Sequence, residues 1–297
     1  MQKQQSAFST TIRIARVSFL LALLALGNAC ALWQGLSSDL KPSVEIAGVQ
    51  IKNIGMQSAT LQFNMAVKNP YSVALPVVGL DYSLASQGGD AFLTGKAPQQ
   101  GSVPARGNKT LALPVELRYN DILKTLQGIQ MGAVVPYKAQ LGLSVQSPVG
   151  GALRLPIQKE GEFPIPAMPE VKVSDVKWEN LSLLKADGRV RLSCVNRNQF
   201  PLDLSKFQYA LSLGDVEVAR SAMNQAVHFN ANGGEGALEI PISFSPAEFG
   251  MAMFKLLNGD EAGYRVKGAF DVKTPFGPMS LPVDKMGRSA MGKKKKE

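Results

Sequence analysis

Asn69-Pro-Tyr-Ser-Val-Ala-Leu-Pro-Val-Val-Gly-Leu-Asp-Tyr82 returns 127 residues later as Asn196-Arg-Asn-Gln-Phe-Pro-Leu-Asp-Leu-Ser-Lys-Phe-Gln-Tyr209. The same shift lays Val44 on Val171, Val49 on Val176, Leu84 on Leu211, Pro114 on Pro241 and Tyr137 on Tyr264. It also lays Ser147-Pro-Val-Gly150 on Thr274-Pro-Phe-Gly277. So long a period excludes a solenoid of units of about 20–50 residues and leaves each copy enough chain to bury its own core. The chain is therefore read as two copies of one domain. An active site would have to lie within a copy or between copies, and few residues are available to build one.

Around the quoted stretch the apolar period is two. Val44-Glu-Ile-Ala-Gly-Val-Gln-Ile51 and Ala59-Thr-Leu-Gln-Phe-Asn-Met-Ala-Val67 alternate as half-buried strands do. Tyr82 and Leu84, Thr110–Leu117, Tyr137–Val145 and the set Leu153, Leu155 and Ile157 continue the pattern between Gly, Pro and Asn turns. Antiparallel sheets packed as a sandwich satisfy this arrangement. One stretch per copy departs from it. Asn120–Met131 spaces Ile122, Leu123, Leu126 and Ile129 as a helix, with Asn120 or Asp121 as cap. Its counterpart is Ser245–Leu257, where Ser245 caps and Pro246 fills the first turn. There Met251, Met253 and Phe254 are read as a plug closing one end of the sandwich, with a greasy docking surface as the alternative use of the same residues. Pro114 and Pro241 cannot donate to a ladder, so their strands belong at a sheet edge or at a bulge. Phe163-Pro-Ile-Pro-Ala-Met-Pro169 joins the copies as an extended, semi-rigid connector that restricts their relative orientation.

The net charge of +9 is concentrated at the two ends of the chain. Residues 1–29 carry +3 and the last ten residues +4, leaving +2 between them, too little for a fold that tracks a nucleic-acid backbone. Lys3, Arg13 and Arg16 precede the apolar run Val17–Leu26, then Gly27-Asn28-Ala29-Cys30-Ala31, in the order of an export signal. The segment resembles a bacterial lipoprotein signal whose acceptor thiol is Cys30; plain secretion after cleavage and an uncleaved anchor reaching to Trp33 remain open beside it. Cys194 is read as a small buried core residue, and with Cys30 acylated no disulfide forms within the chain.

The Asn69-Pro70-Tyr71 turn, the Leu80-x-Tyr82-x-Leu84 run, the Gly101-Ser-Val-Pro-Ala-Arg-Gly107 loop and the Leu113-Pro-Val-Glu-Leu117 strand resemble a LEA14-type domain, the WHy domain of water-stress and hypersensitive-response proteins. The likeness covers residues 43–160 and, more loosely, 170–285. In the second copy Asn196-Arg197-Asn198 lacks the proline, and Phe229-Asn-Ala-Asn-Gly233 replaces the Val-Pro-Ala loop. The resemblance implies an all-β chain of two tandem fibronectin type III-like antiparallel sandwiches, each with one short helix. It implies no cofactor and a part in desiccation or osmotic stress tolerance, and it points to no reaction.

No chemical motif competes with that reading. His228 is the only histidine, without a second ligand for a metal or a Gly-x-Ser-x-Gly elbow for catalysis. Gly88-Gly89, Gly150-Gly151 and Gly233-Gly234 lack the spacing and lysine of a phosphate loop. Asp81, Glu116, Asp203 and Glu239 occupy outward steps of their strands.

The expected plan is a signal peptide over 1–29, a tether over 30–42, a first sandwich over 43–162, a Pro-rich linker over 163–169, a second sandwich over 170–286 and a basic tail over 287–297. The function read from it is a non-enzymatic envelope lipoprotein with no catalytic, cofactor or metal site. It is exported to the periplasmic face of the outer membrane and acts as a protective or binding module. Its partners are the membrane through the lipid on Cys30, then other proteins or lipid surfaces. A carrier or assembly factor for an envelope component is the alternative, and a large apolar cavity would favour it.

Overall fold

The computed structural model describes residues 41–86, 89–98, 101–148 and 150–290. The expected signal peptide, Cys30 and Lys293–Lys296 lie outside them. The first copy contains β1 (Ser43–Lys52), β2 (Ser58–Lys68), β3 (Leu75–Ser86), β4 (Ala91–Ala97), β5 (Ser102–Val103), β6 (Asn108–Arg118), α1 (Tyr119–Thr125), β7 (Val134–Gln146) and β8 (Ala152–Pro164). The second contains β9 (Glu170–Leu181), β10 (Ala186–Asn196), β11 (Leu202–Leu213), β12 (Val216–Met223), β13 (Val227–Phe229), β14 (Gly234–Phe244), a 3-10 turn (Pro246–Phe249), α2 (Met251–Leu257), β15 (Glu261–Thr274) and β16 (Gly277–Ala290).

Each copy is an antiparallel sandwich. Sheet order is β1-β2-β6 facing β4-β3-β7-β8 in the first, with β5 paired to β3, and β9-β10-β14 facing β12-β11-β15-β16 in the second, with β13 paired to β11. The 127-residue shift carries β3 onto β11 residue for residue. It also carries two irregularities of register: Val77/Gly79 recurs at Leu204/Lys206, and Leu84/Ala85 at Leu211/Ser212. Pro114 pairs with Gln62 and Pro241 with Arg189, each on the strand that forms an edge of its three-stranded sheet. The lost donor therefore faces away from the ladder.

Alternation builds the cores. Leu61, Phe63, Met65 and Val67 on β2 all point inward and are sealed from solvent, as are Leu192 and Cys194 on β10. Phe63 meets Tyr137 edge-on at 6.3 Å, and Phe207 meets Phe270 at 4.5 Å. Burying each such Leu or Phe stabilises the fold by about 1.5–3 kcal/mol.

The helices differ from expectation. α1 ends at Thr125, and neither Asn120 nor Asp121 caps it, because the cap position falls on Arg118. Leu126 is already extended, yet Leu126 and Ile129 still pack on the core. Their spacing mimics a helix while Gly128 at φ 81° turns the chain. In the second copy the expected helix is broken at Gly250, φ 83°, into the 3-10 turn and α2, and the Ser245 side chain makes no capping bond. The plug divides around α2 itself: Met253 is buried, Phe254 is half-buried, and Met251 is exposed. β16 runs to Ala290, into the stretch expected to be tail.

Candidate functional site

The family turn is built around a buried side chain. Asn69, 1% exposed, donates from Nδ2 to the carbonyls of Val73 (2.9 Å), Val103 (3.2 Å) and Pro104 (2.9 Å), and its Oδ1 accepts the Tyr71 N–H at 2.9 Å. One amide thus ties the β2–β3 turn to the β5–β6 loop. Pro70 fixes the backbone between the two partners, and Tyr71 returns a carbonyl to the Arg106 N–H at 2.8 Å. All polar capacity of Asn69 is directed at its own backbone, so this amide fastens the turn and offers no free group to a ligand.

The second copy repeats the fastening and adds to it. Asn196 donates to the carbonyls of Phe200 (2.9 Å) and Asn230 (3.0 Å), and its Oδ1 accepts from the Asn198 N–H (3.0 Å) and Nδ2 (2.8 Å). Asn198, fully buried, then reaches the connector. It accepts the Ala167 N–H at 2.7 Å and donates to the Ala167 carbonyl at 3.1 Å. Gln199 donates its N–H to the Gly132 carbonyl at 2.7 Å, and its Oε1 accepts the Val134 N–H at 2.8 Å. The connector closes the set through Gly132 N–H to Ile165 carbonyl at 2.6 Å and Ile165 N–H to Ala133 carbonyl at 2.9 Å. The turn that lacks the proline is therefore the junction between the domains. Its sequence signal was the loss of that proline at Arg197, which the reading of one copy alone could not use. Gly132 is obligatory here, because at φ 93° a Cβ would lie 2.7 Å from the Arg197 carbonyl oxygen.

The candidate reactive residues do not converge. Cys194 is buried, and desolvation pushes its thiol up to about 12. His228 is exposed on β13, its Nδ1 2.6 Å from Asp203 Oδ1 and its Nε2 3.3 Å from Asn230 Oδ1; the Asp203 bond raises its pKa. Asp81 pairs with Arg154, Glu116 with Arg118, and Glu239 with Arg189 and Arg191. Among the described residues no group of three or more His, Cys, Asp or Glu could hold a metal ion. A groove of about 1020 Å³ crosses the outer face of the β12-β11-β15-β16 sheet. Arg265 and Asp284 bridge it through two bonds of 2.8 and 2.7 Å, and Arg220 and Glu217 form a like pair at 2.8 and 2.7 Å. These fork-to-fork pairs satisfy their own charges. Among the described residues no helix is long and apolar enough to cross a membrane.

Comparison with known proteins finds matches of about one copy's length. The profile of the late embryogenesis abundant protein family matches residues 64–161 and 191–287. The late embryogenesis abundant protein Lea14-A of Gossypium hirsutum is 26% identical over 131 residues, which is 44% of this chain and 86% of that protein. The desiccation protectant protein Lea14 homolog of Glycine max is 28% identical over 131 residues, with the same coverage of 44% and 86%. A solution structure from Arabidopsis thaliana is 26% identical and covers 43% of this chain and 83% of its own, with a TM-score of 0.35. The chain belongs to the late embryogenesis abundant protein family and carries the family's domain twice.

Proposed function

We propose that the protein is a non-enzymatic, membrane-tethered module that protects or binds other envelope components during desiccation or osmotic stress. The observation that carries this reading is the double family match, together with relatives whose names describe a desiccation protectant. The side chains support it from below: Asn69 and Asn196 serve their own backbones, Cys194 is sealed in a core, and the acids pair outward with basic residues. A carrier would need an apolar chamber, whereas both sandwiches are filled by large side chains such as Phe63, Phe163, Phe207 and Phe270. In the tether reading, residues 1–29 direct export and Cys30 takes the lipid. Ala31, rather than Asp, after that cysteine directs the protein to the outer membrane, where it faces the periplasm. The chain enters the first sandwich at Ser43, beside Lys41, Lys68 and Arg106, so that end meets an anionic headgroup layer favourably.

Two measurements test the proposal. Cys30→Ser should abolish labelling by a fatty-acid analogue and move the protein from membrane to soluble fraction; retention without label would instead assign an uncleaved helix. Cells lacking the protein should survive drying or osmotic shock less well and be rescued by the wild-type chain. Equal survival with and without it across both stresses would remove the protective reading.

A further inference from the structure

At the Ser43 end of the first sandwich three parts of the chain are fastened together. Ser43 pairs with Lys68 at the end of β2, Asn69 holds the carbonyls of Val103 and Pro104, and the Arg106 N–H reaches the Tyr71 carbonyl at 2.8 Å. Lys41, Lys68 and Arg106 are exposed there, and half-buried Lys109 donates to the Ser102 carbonyl at 3.1 Å. No neighbouring acid opposes them. The sequence holds no Asp or Glu from Ile46 to Leu80, from Ala91 to Val115 or from Ile122 to Lys159. Along the strands that reach this end, the nearest described carboxylate is Glu45, two residues inside β1.

The fold does not demand these charges, as the second copy demonstrates. At the 127-residue shift Met168, Val195 and Gly236 stand for Lys41, Lys68 and Lys109. For Arg106 the match is Asn232, whose N–H makes the corresponding bond to the Asn198 carbonyl at 2.8 Å. All of these are neutral, and in the second copy this end is covered by the first sandwich and the connector, through Asn198 and Gln199. The cations therefore stand on the copy whose end is uncovered among the described residues. Arg106 carries a further mark. Its φ of 48° lies in the left-handed region, which arginine enters at a cost and asparagine more readily, as Asn232 does at 57°. A strained backbone beneath an exposed charge points to a use for that charge. In the same turn Val73 is 49% exposed and Tyr71 is half-buried.

We propose that this end is a binding surface for an anionic bilayer, with Lys41, Lys68, Arg106 and Lys109 meeting the lipid charge and Val73 and Tyr71 entering the headgroup boundary. Cations alone would suit any dissolved anion. The exposed valine and the amphipathic tyrosine among them suit an interface that is charged outside and apolar within. The site rests on the reading of a membrane-held protein given above, and in it folded residues select the lipid while the anchor only holds the chain.

Flotation separates the surface from the anchor. Full-length Cys30→Ser protein, which carries no lipid, is floated with phosphatidylcholine vesicles and with vesicles containing about one third phosphatidylglycerol. Binding to the neutral vesicles reports the N-terminal segment, and the gain on anionic vesicles reports the folded end. That gain is expected at low salt and should fall about twentyfold in Lys68→Gln with Arg106→Asn, at about fivefold per charge, while neutral binding stays unchanged. Val73→Ser should reduce the gain as well. Arg106→Asn alone should melt at or above the wild-type temperature, since it installs the residue that the second copy uses. Absence of a gain on anionic vesicles, or a gain that the double variant keeps, overturns the proposal. So does release by millimolar inorganic phosphate at fixed ionic strength, which assigns a dissolved anion. Vesicle-free self-association lost in the double variant assigns a second copy and overturns it too. A lower melting temperature for Arg106→Asn would place that arginine there for the fold and overturn its assignment. None of these results depends on acylation of Cys30 in cells, so loss of the anchor and loss of this surface are separate outcomes.

Discussion

Replacing Asn69 by Ala should destabilise the first sandwich by about 3 kcal/mol. The two amide hydrogens of the side chain are shared among three backbone carbonyls, and its Oδ1 accepts the Tyr71 N–H, at 2.9 to 3.2 Å. Counted as about three bonds at about 0.5–1.5 kcal/mol each, they give roughly 1.5–4.5 kcal/mol. The middle of that range applies, because the Val103 carbonyl is orphaned in the interior while Tyr71 is half-buried and water can reach its N–H. A loss of about 3 kcal/mol changes the folding constant by somewhat over a hundredfold. With a urea slope of about 1–3 kcal/mol/M, the midpoint should fall by about 1–3 M. The assay is urea unfolding followed in parallel by far-ultraviolet circular dichroism, which reports both sandwiches, and by tryptophan fluorescence in a Trp33→Phe background, which leaves Trp178 to report the second. The dichroism transition should split, with its early component assigned to the first sandwich and the Trp178 midpoint moving less. Asn196→Ala should reverse the pattern and also weaken the junction, because Asn196 positions Asn198. A midpoint for Asn69→Ala within about 0.3 M of wild type would refute the fastening and return the motif to the solvent as a recognition element.

Gly132→Ala should cost about 1–3 kcal/mol at the junction, since the new Cβ meets the Arg197 carbonyl in a left-handed backbone; calorimetry should then show two separated transitions, and an unchanged thermogram would contradict the junction. Cys194 should resist maleimide in the native protein and react only as the second sandwich unfolds, because burial holds its thiol near a pKa of 12. The Asp203 bond raises the pKa of His228 above 6.5, so its stabilisation is complete below about pH 6.5 and is lost as pH rises through the raised value. His228→Gln should flatten that dependence in melts recorded across neutral pH and leave stress protection intact; a folded, abundant but inactive variant would reopen the question of catalysis.

The strands were legible because one face of each is buried, and burial of one face imposes the period of two seen in Leu61, Phe63, Met65 and Val67. Pro114 and Pro241 marked edges for an equally local reason. The helix ends were not legible, since Leu126 and Ile129 obey helical spacing while packing from extended backbone, and only tertiary contacts separate the two cases. The reading of Met251 and Met253 as one plug failed because residues two apart on α2 lie about 200° around the helix axis, so that Met253 turns inward and Met251 outward. The candidate site was half legible. Asn69-Pro70-Tyr71 stood out, but its bonds to Val103 and Pro104, and those of Gln199 to Gly132 and Val134, join residues distant in sequence that only the fold brings together.

Apart from the two-residue β5, the first copy has seven strands, all paired antiparallel. An odd count means that the polypeptide enters at one pole and leaves at the other. An even count would bring it back to where it began, and duplication would then set copies side by side. With odd parity, duplication lengthens the molecule instead, and each added copy moves the C-terminus outward by one strand length, about 45 Å for fourteen residues. The number of copies is in this sense a ruler, each copy adding a strand length between the Ser43 end of the first sandwich and the Ala290 end of the second.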